Sequence, residues 1–519
     1  MNQSLKSLPT LSLRPVTLAV LSALAVTAPL LAAATTNPTP GAPLDVTDFV
    51  VNTHTIGEQY GPRIARDAAG DFVVSWQSHD QAATDSDYDI YAQRYHADGT
   101  KNGQEFLVNT VTSDKQEFSA VAMDAAGDFV VAWQSDNQVA TSSAAIYFQR
   151  FDASGTPVGT ETLANPTAVV TEKYPAVAMD AAGDFVLVWT DYTGLDGYGS
   201  YGTHDGAGIF ARRYQADGTP IDPSDFQVNS QVTGNQNENA VAMDAVGDFV
   251  AVWKDANDSS IKGRRFTLTG DTTTGTEFQL NTNTYANEYP YMGMDAQGDF
   301  VVGWEARYSP TSGTTQSNLY VRRYDKQGTA LDTSEVEIYS DATTDAYVLG
   351  VAMDAEGDYV VEICNYGGLD GDGNGLFGEL FHADGTLVSP AVPVTGHPSM
   401  FQVNTRTSGD QNYPAGVAMN ADGDFVMTWT DYHGYDGDSY GIYARRFAGP
   451  ELTDLTTTLT GPTGTVDTGA DFSVTANVSN ANASTGNSAV DANAALASGI
   501  GLSITVPSGA TFKSASGTD

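Results

Sequence analysis

The stretch AMDAAGDFVVAW (122–133) decides the fold, because the chain repeats it seven times. The other copies are ARDAAGDFVVSW (65–76), AMDAAGDFVLVW (178–189), AMDAVGDFVAVW (242–253), GMDAQGDFVVGW (293–304), AMDAEGDYVVEI (352–363) and AMNADGDFVMTW (418–429). The aspartate ahead of the aromatic falls at Asp71, Asp128, Asp184, Asp248, Asp299, Asp358 and Asp424, a period of about 59 residues. All six tryptophans, Trp76, Trp133, Trp189, Trp253, Trp304 and Trp429, close this phrase, and Ile363 takes their place in the sixth copy. A coincidental pattern would not capture every tryptophan of the chain.

Working outward, each copy runs on to a second phrase such as DIYAQRY (89–95), GIFARRY (208–214) or GIYARRF (441–447). A third follows, such as FLVNT (106–110), FQVNS (226–230) or FQVNT (401–405). Each repeat reads as four short strands: AVAMD, FVVAW, IYARRY and FQVNT. D-A-x-G joins the first two as a tight turn with glycine at positive φ. No segment between them has helical periodicity. Seven four-stranded units predict an all-β protein, a seven-bladed β-propeller over 45–448. The array opens with a fourth-strand phrase, FVVNT (49–53), and ends with a third-strand phrase, GIYARRF (441–447). The first segment can therefore complete the last blade and close the ring without an unpaired edge. An open β-solenoid is the alternative, and it would not need that permuted start.

Composition bounds the partners. With 64 Asp+Glu against 23 Lys+Arg, the formal charge is −41, which argues against nucleic acid and against docking on anionic lipid. Hydrophobic residues make up 41% of the chain, enough for a packed core. The single cysteine, Cys364, excludes a disulfide framework and a cysteine-rich zinc site; a buried, inert thiol is expected. Residues 1–34 contain no acid, and Lys6 and Arg14 precede an apolar run from Val16 to Leu31 that ends in Ala32-Ala33-Ala34. This reads as an export signal, with a retained membrane anchor as the alternative. Residues 35–44 then form a Pro-rich linker. The expected address is extracellular or the cell surface, with the periplasm as the alternative, and no membrane span after cleavage. A monomer is expected.

The repeats resemble the VNT…PAVA…GDFVVxW…YAQRY propeller-like repeats of large exported bacterial surface proteins, over about 45–448. That resemblance implies fold and compartment and transfers no catalytic residue set. From Glu451 the composition shifts to Thr, Ser, Ala, Asn and Gly. DLTTTLTGP (454–462), DFSVTANVSNAN (471–482) and VPSGATFKSASG (506–517) resemble a bacterial surface Ig-like module. Residues 449–519 are thus expected to be a partial Ig-like β-sandwich, short for a complete one; a complete minimal sandwich is the alternative.

In a propeller with this strand order, the loops after the second and fourth strands share one face. The tight turns share the other. Rigid scaffolds carry binding on long loops. Three second-to-third-strand loops share [DN]-Y-x-G-[LY]-D-G, at 191–197, 365–371 and 431–437. Their tyrosines Tyr192, Tyr366, Tyr432 and Tyr435 are candidates to stack on sugar rings or dock a protein; packing over neighbouring blades is the competing reading. Glycines with hard oxygens suit Ca2+, giving Asp196, Asp370, Asp372, Asn374, Asp436 and Asp438 as candidate ligands. Asp370-x-Asp372-x-Asn374-Gly375 copies half an EF-hand loop, but Phe381 stands where its last carboxylate belongs. The competing reading is ordinary Asx-turn loops.

Arginines recur in the third strand, at Arg94, Arg150, Arg213, Arg265, Arg323 and Arg446, where Arg–carboxylate bridges between blades are expected. The turn aspartates, such as Asp67 and Asp124, are expected to be caps. No nucleophile elbow, phosphate loop or paired-histidine metal motif occurs, so no catalytic residue is assigned. Three classes of function remain. They are a non-enzymatic module that binds carbohydrate or protein, a propeller glycosidase or lyase, and a passive spacer of a surface protein.

Overall fold

The computed structural model describes residues 39–82, 87–139, 143–165, 171–192, 206–270, 275–311, 314–341, 344–450, 455–460 and 475–480. Seven antiparallel sheets succeed one another, and the expected seven-bladed propeller is what forms. Blade 1 runs from an inner strand, Gln59–Arg66, through Phe72–His79 and Tyr88–Tyr95 to a short outer strand, Phe106–Leu107. The remaining inner strands are Gln116–Met123, Glu172–Met179, Gln236–Met243, Ala286–Met294, Ala346–Met353 and Gln411–Met419. Each inner strand contacts the next and the last contacts the first, so together they ring a central channel. The sixth sheet carries a fifth strand, Pro393–Val394, beyond its outer strand. The propeller unit spans Pro38–Glu451.

The second strands explain the repeated tryptophan. They run at least two residues past it, as in Phe72–His79, so Trp76 lies mid-strand and is fully buried between blades. Each blade interface is such an apolar layer, for example Val73, Ile90, Phe129, Val131 and Trp133 between blades 1 and 2. Both faces of the second strand are covered, and its residues are therefore apolar almost without alternation. The turn aspartates are caps as expected: Asp124 Oδ1 accepts from the backbone NH of Ala126 and of Asp128 at 2.8 and 3.0 Å.

The VNT phrase has a specific role. Most outer strands pair over only two residues, as Phe106–Leu107 does with Ala92 and Tyr91. The asparagine side chain extends that short ladder. Asn109 Oδ1 accepts from Ile90 NH at 2.7 Å, and Asn109 Nδ2 donates to Asp89 at 2.7 Å. Asn229, Asn281, Asn404 and Asn52 repeat the first bond at 2.7–3.0 Å.

The arginines stitch blades, but mainly through carbonyls. Arg150 donates to Ala216 O of the next blade at 2.8 Å, and Arg446 donates to Ala97 O at 2.9 Å. Where a carboxylate pairs, it belongs to the same blade, as Asp222 does for Arg213 at 2.6 Å. The preceding arginine reaches the other way, Arg264 to Val228 O at 2.9 Å and Arg322 to Leu280 O at 2.7 Å. The expected inter-blade carboxylate bridges are thus replaced by arginine–carbonyl bonds. A guanidinium has five donors and can serve both partners at once.

Closure follows the permuted start. Phe49–Val50 pairs with Gly441–Phe447 as the outer strand of blade 7. Asp45 clamps Arg446 at 2.5 Å, and Asp48 accepts from Thr405 NH at 3.0 Å. Beyond the propeller, Leu455–Thr460 pairs antiparallel with Thr475–Asn480. The rest of the expected Ig-like module and the export signal lie outside the described residues.

Candidate functional site at the channel mouth

Every inner strand carries a β-bulge near its start, on the side of the variable loops. The register shifts between Tyr60 and Arg63, Glu117 and Ala120, Lys173 and Ala176, Asn237 and Ala240, and Glu288 and Tyr291. In these five blades the first bulge residue is left-handed: Gly61 (φ 74°), Phe118 (54°), Tyr174 (57°), Glu238 (56°) and Tyr289 (51°). Glycine adopts this conformation freely, whereas a bulky residue pays about 1–2 kcal/mol. Only blade 1 of the five uses glycine.

Neighbouring blades hold these positions in place. Phe118 NH donates to Gln77 Oε1 at 3.1 Å, Tyr289 NH to Glu238 Oε2 at 2.8 Å, and Asn239 Nδ2 to Tyr174 O at 3.3 Å. Such over-determination is what lets a strained residue persist, and strain of this kind gathers at functional sites. The consequence is an arc of aromatic rings at the mouth. Phe118 and Tyr174 meet edge to face at 4.9 Å, and Tyr174 meets Tyr192 at 6.5 Å. Tyr174 and Tyr289 are each 42% exposed, so their rings are available at the surface.

Polar groups complete the rim. Lys254 Nζ lies 2.7 Å from Glu288 and 3.3 Å from Glu238. Arg307 Nε lies 2.6 Å from Glu305 and 3.4 Å from Glu288, with its guanidinium 5.6 Å from the Tyr347 ring centroid. On the opposite side Lys115 sits 3.5 Å from Glu117 and 3.7 Å from Asp87. Burial, first, and the nearby Tyr174 and Glu238, next, push the Tyr192 hydroxyl up to about 12.

The four tyrosines expected to bind occupy two kinds of place. Tyr192 joins the arc through Tyr174. Tyr366 packs on Tyr347 at 5.0 Å and donates to Asn412 Oδ1 at 2.7 Å. Tyr432 packs on Tyr60 and Tyr440 at 6.3 and 4.5 Å. Both brace inner strands from behind. Tyr435 is exposed, donates to Ser408 O at 3.1 Å and lies under Arg406, whose guanidinium is 5.0 Å from its ring centroid.

The loops expected to hold Ca2+ have several of their oxygens engaged within the protein, while Asp436 Oδ1 is buried with no partner among the described residues. Asp370 accepts from Asn404 Nδ2 at 3.0 Å, and Asp436 accepts from Asn52 Nδ2 at 2.9 Å, the same asparagines that extend the outer strands. Asp372 accepts from Gly409 NH at 3.4 Å and Asp438 from Gly57 NH at 3.0 Å. Asn374 offers its backbone NH to Asp410 at 3.0 Å. Among the described residues no group of three His, Cys, Asp or Glu side chains converges as a metal site would require. Asp196 lies outside the described residues.

The sequence reading passed over Phe118, Tyr174, Glu238 and Tyr289. A signal was present: Pro62, Pro175 and Pro290 follow the left-handed residue in three inner strands. Proline within a sheet belongs at an edge or a bulge.

No protein-family model matches the chain, and no curated protein matches it. Among solved structures it is similar to a protein of unknown function from Dyadobacter fermentans, with TM-score 0.44 and 10% identity over 78% of this chain and 98% of that one. It is also similar to an α-L-arabinanase of Penicillium chrysogenum, with TM-score 0.41 and 10% identity over 77% and 97% of the two chains. An α-L-arabinofuranosidase from Fusarium graminearum gives TM-score 0.39 and 11% identity over 77% and 97%. These are likenesses of overall architecture and assign no residue of the site.

Proposed function

We propose that this chain is an exported, non-enzymatic propeller that binds a carbohydrate chain across its channel mouth, at the cell surface or in the medium. The observation that carries the reading is the set of aromatic side chains kept in a left-handed conformation where glycine would relax. A sugar ring offers a C–H face to an aromatic and hydroxyls to the groups beside it. The arc Phe118–Tyr174–Tyr192 supplies the first and the Glu238–Lys254–Glu288 cluster the second. A protein partner would need a broad contact of roughly 800 Å2 per side, which a narrow ringed mouth suits less well.

The test is retention of the full chain on a panel of immobilised polysaccharides, with Tyr174→Ala and Phe118→Ala alongside. Retention of the wild type, weakened about tenfold or more in the variants, supports the reading. Shortening of the bound polysaccharide would replace it with a glycosidase or lyase. Absence of retention on every polysaccharide would leave a passive spacer.

A further inference from the structure

The arginines near the ends of the third strands are seated in one pose. In blade 7, Arg446 Nη1 donates to Ala97 O of the next blade at 2.9 Å. A Cβ added to Gly99 of that blade would meet Arg446 Nε, Cζ and Nη2 at 2.7, 3.0 and 3.3 Å, so the guanidinium lies against the turn. Arg323 sits in the same way on Gly385, with Nη1 2.5 Å from Ala383 O. Arg150 sits on Gly218 with Nη1 2.8 Å from Ala216 O, and Arg94 on Gly155 with Nη1 2.8 Å from Ala153 O. One edge of each guanidinium is therefore fixed by the neighbouring blade.

The Nε–Nη2 edge differs between blades. In blades 3, 5 and 7 an aspartate closes on it. Asp222 accepts from Arg213 Nε, Nη2 and backbone NH at 3.0, 2.6 and 3.0 Å. Asp332 accepts from the same three groups of Arg323 at 3.3, 2.5 and 2.9 Å. Asp45 accepts from those of Arg446 at 3.1, 2.5 and 2.9 Å. Asp222 and Asp332 each lie 9 residues beyond their arginine. At that spacing Arg94 has Gly103 and Arg150 has Gly159, both exposed. A Cβ added to Gly103 would have Arg94 Nη2, at 3.2 Å, as its only neighbour within 4 Å among the described residues. One added to Gly159 would have only Arg150 Nη2, at 3.5 Å. Ion pairs form at Arg213, Arg323 and Arg446, and among the described residues none forms at Arg94 or Arg150. Arg94 NH also points toward this edge, because its carbonyl accepts from Asn102 NH at 2.8 Å and both groups of a strand residue face the same side.

We infer that Arg94 and Arg150 are two open clamps, on adjacent blades, that take a carboxylate from outside the propeller side-on. The ligand is a free organic acid or an aspartyl side chain of a partner. The site lies at the turn end of the blades and is independent of the carbohydrate reading of the mouth. The aspartates of blades 3, 5 and 7 show which group the edge accepts, and a guanidinium fork matches a carboxylate with two parallel bonds. The seat on the next blade is complete without the carboxylate, so binding needs no rearrangement of the arginine. Asp45 comes from a segment 401 residues away from Arg446, so the carboxylate need not belong to the blade's own loop. Gly103 and Gly159 have φ of 89° and 79°, a conformation that favours glycine over an aspartate at these places. The acids whose charge reaches Arg94, Asp71 and Asp152, are held by Ala97 NH at 2.8 Å and Ser154 NH at 2.9 Å. The net charge of −41 opposes an anion at long range, but the Debye length is about 8 Å at physiological salt, so the clamps act locally there.

The experiment follows the arginine Nε–Hε resonances of the full chain during titration with acetate, against chloride at matched ionic strength. Arg94→Lys and Arg150→Lys assign the two signals, and Asp332→Gly opens the blade 5 clamp. Acetate is expected to shift the Arg94 and Arg150 resonances saturably and to leave those of Arg323 and Arg446 at the chloride control. In Asp332→Gly the Arg323 resonance should join the responding pair. An acetylated Gly-Asp-Gly amide and its asparagine counterpart are titrated next. Binding of the aspartyl peptide about fivefold or more tighter than acetate, lost with asparagine, identifies a partner's side chain as the ligand. Affinity no better than that of acetate identifies a free organic acid. Absence of a saturable shift at Arg94 and Arg150 would overturn the inference, as would equal shifts at Arg323 and Arg446. The wild-type comparison decides the question even where Asp332→Gly fails to fold.

Discussion

Replacing Tyr289 separates strain from packing. Both Tyr289→Ala and Tyr289→Gly remove the same ring, so the loss of contacts cancels between them. The remaining difference is conformational. Alanine at φ 51° carries the left-handed penalty of about 1–2 kcal/mol, and glycine does not. Against this, glycine loses about 0.5–1 kcal/mol more chain entropy on folding. The glycine variant should therefore be the more stable of the two by up to about 1.5 kcal/mol. Lys173, in the inner strand of blade 3 and outside the left-handed set, should show the usual order, alanine above glycine by about 0.5–1 kcal/mol. The assay is urea unfolding followed by tryptophan fluorescence, which suits a protein whose six tryptophans are all buried. Both Tyr289 variants should also bind polysaccharide less tightly than the wild type. Alanine above glycine at position 289, by the margin seen at 173, would refute the strain; wild-type binding by both would refute its purpose.

Further outcomes follow from the same geometry. Burial, with the Asp191 charge adding to it, pushes Glu172 up to about 8, and burial pushes Asp354 and Glu379 up to about 7. The folded state thus binds more protons than the unfolded one from about pH 4 to about pH 8. Stability should fall as pH rises through that window, and Glu172→Gln should flatten the slope; a melt that rises from pH 5 to pH 8 would contradict this. Asn52→Ala removes the acceptor for Ile442 NH and the donor to Asp436. It should cost about 2–4 kcal/mol and speed amide exchange in Gly441–Phe447. Protection there equal to wild type would show that the closure does not depend on the asparagine. Because Asp370 and Asp436 already accept from Asn404 and Asn52, Ca2+ should shift the melting temperature no more than Mg2+ at matched ionic strength. A calcium-specific rise, lost in Asp370→Asn, would restore those loops as a cation site.

The architecture was legible because packing repeats. A tryptophan buried at six of the seven blade interfaces, an aspartate capping six of the seven turns and a permuted start each leave a periodic trace. What the arginines touch was not legible. Sequence shows an excess of carboxylates, yet the inter-blade partners are carbonyls, which every residue has and no composition reveals. What the [DN]-Y-x-G aspartates touch was not legible either: the asparagine that donates to Asp370 lies 34 residues ahead of it, and the one that donates to Asp436 lies 384 residues behind. The mouth residues escaped notice because their significance is a backbone angle. Only the prolines that follow Gly61, Tyr174 and Tyr289 hinted at a bulge.

The most direct measurement is a crystal structure of the full chain soaked with the polysaccharide fragment it retains best. The account predicts a sugar ring stacked on Tyr174 or Tyr289 at the channel mouth, with hydroxyls at the Glu238–Lys254–Glu288 cluster. A sugar seated instead among the D-A-x-G turns on the opposite face would contradict it.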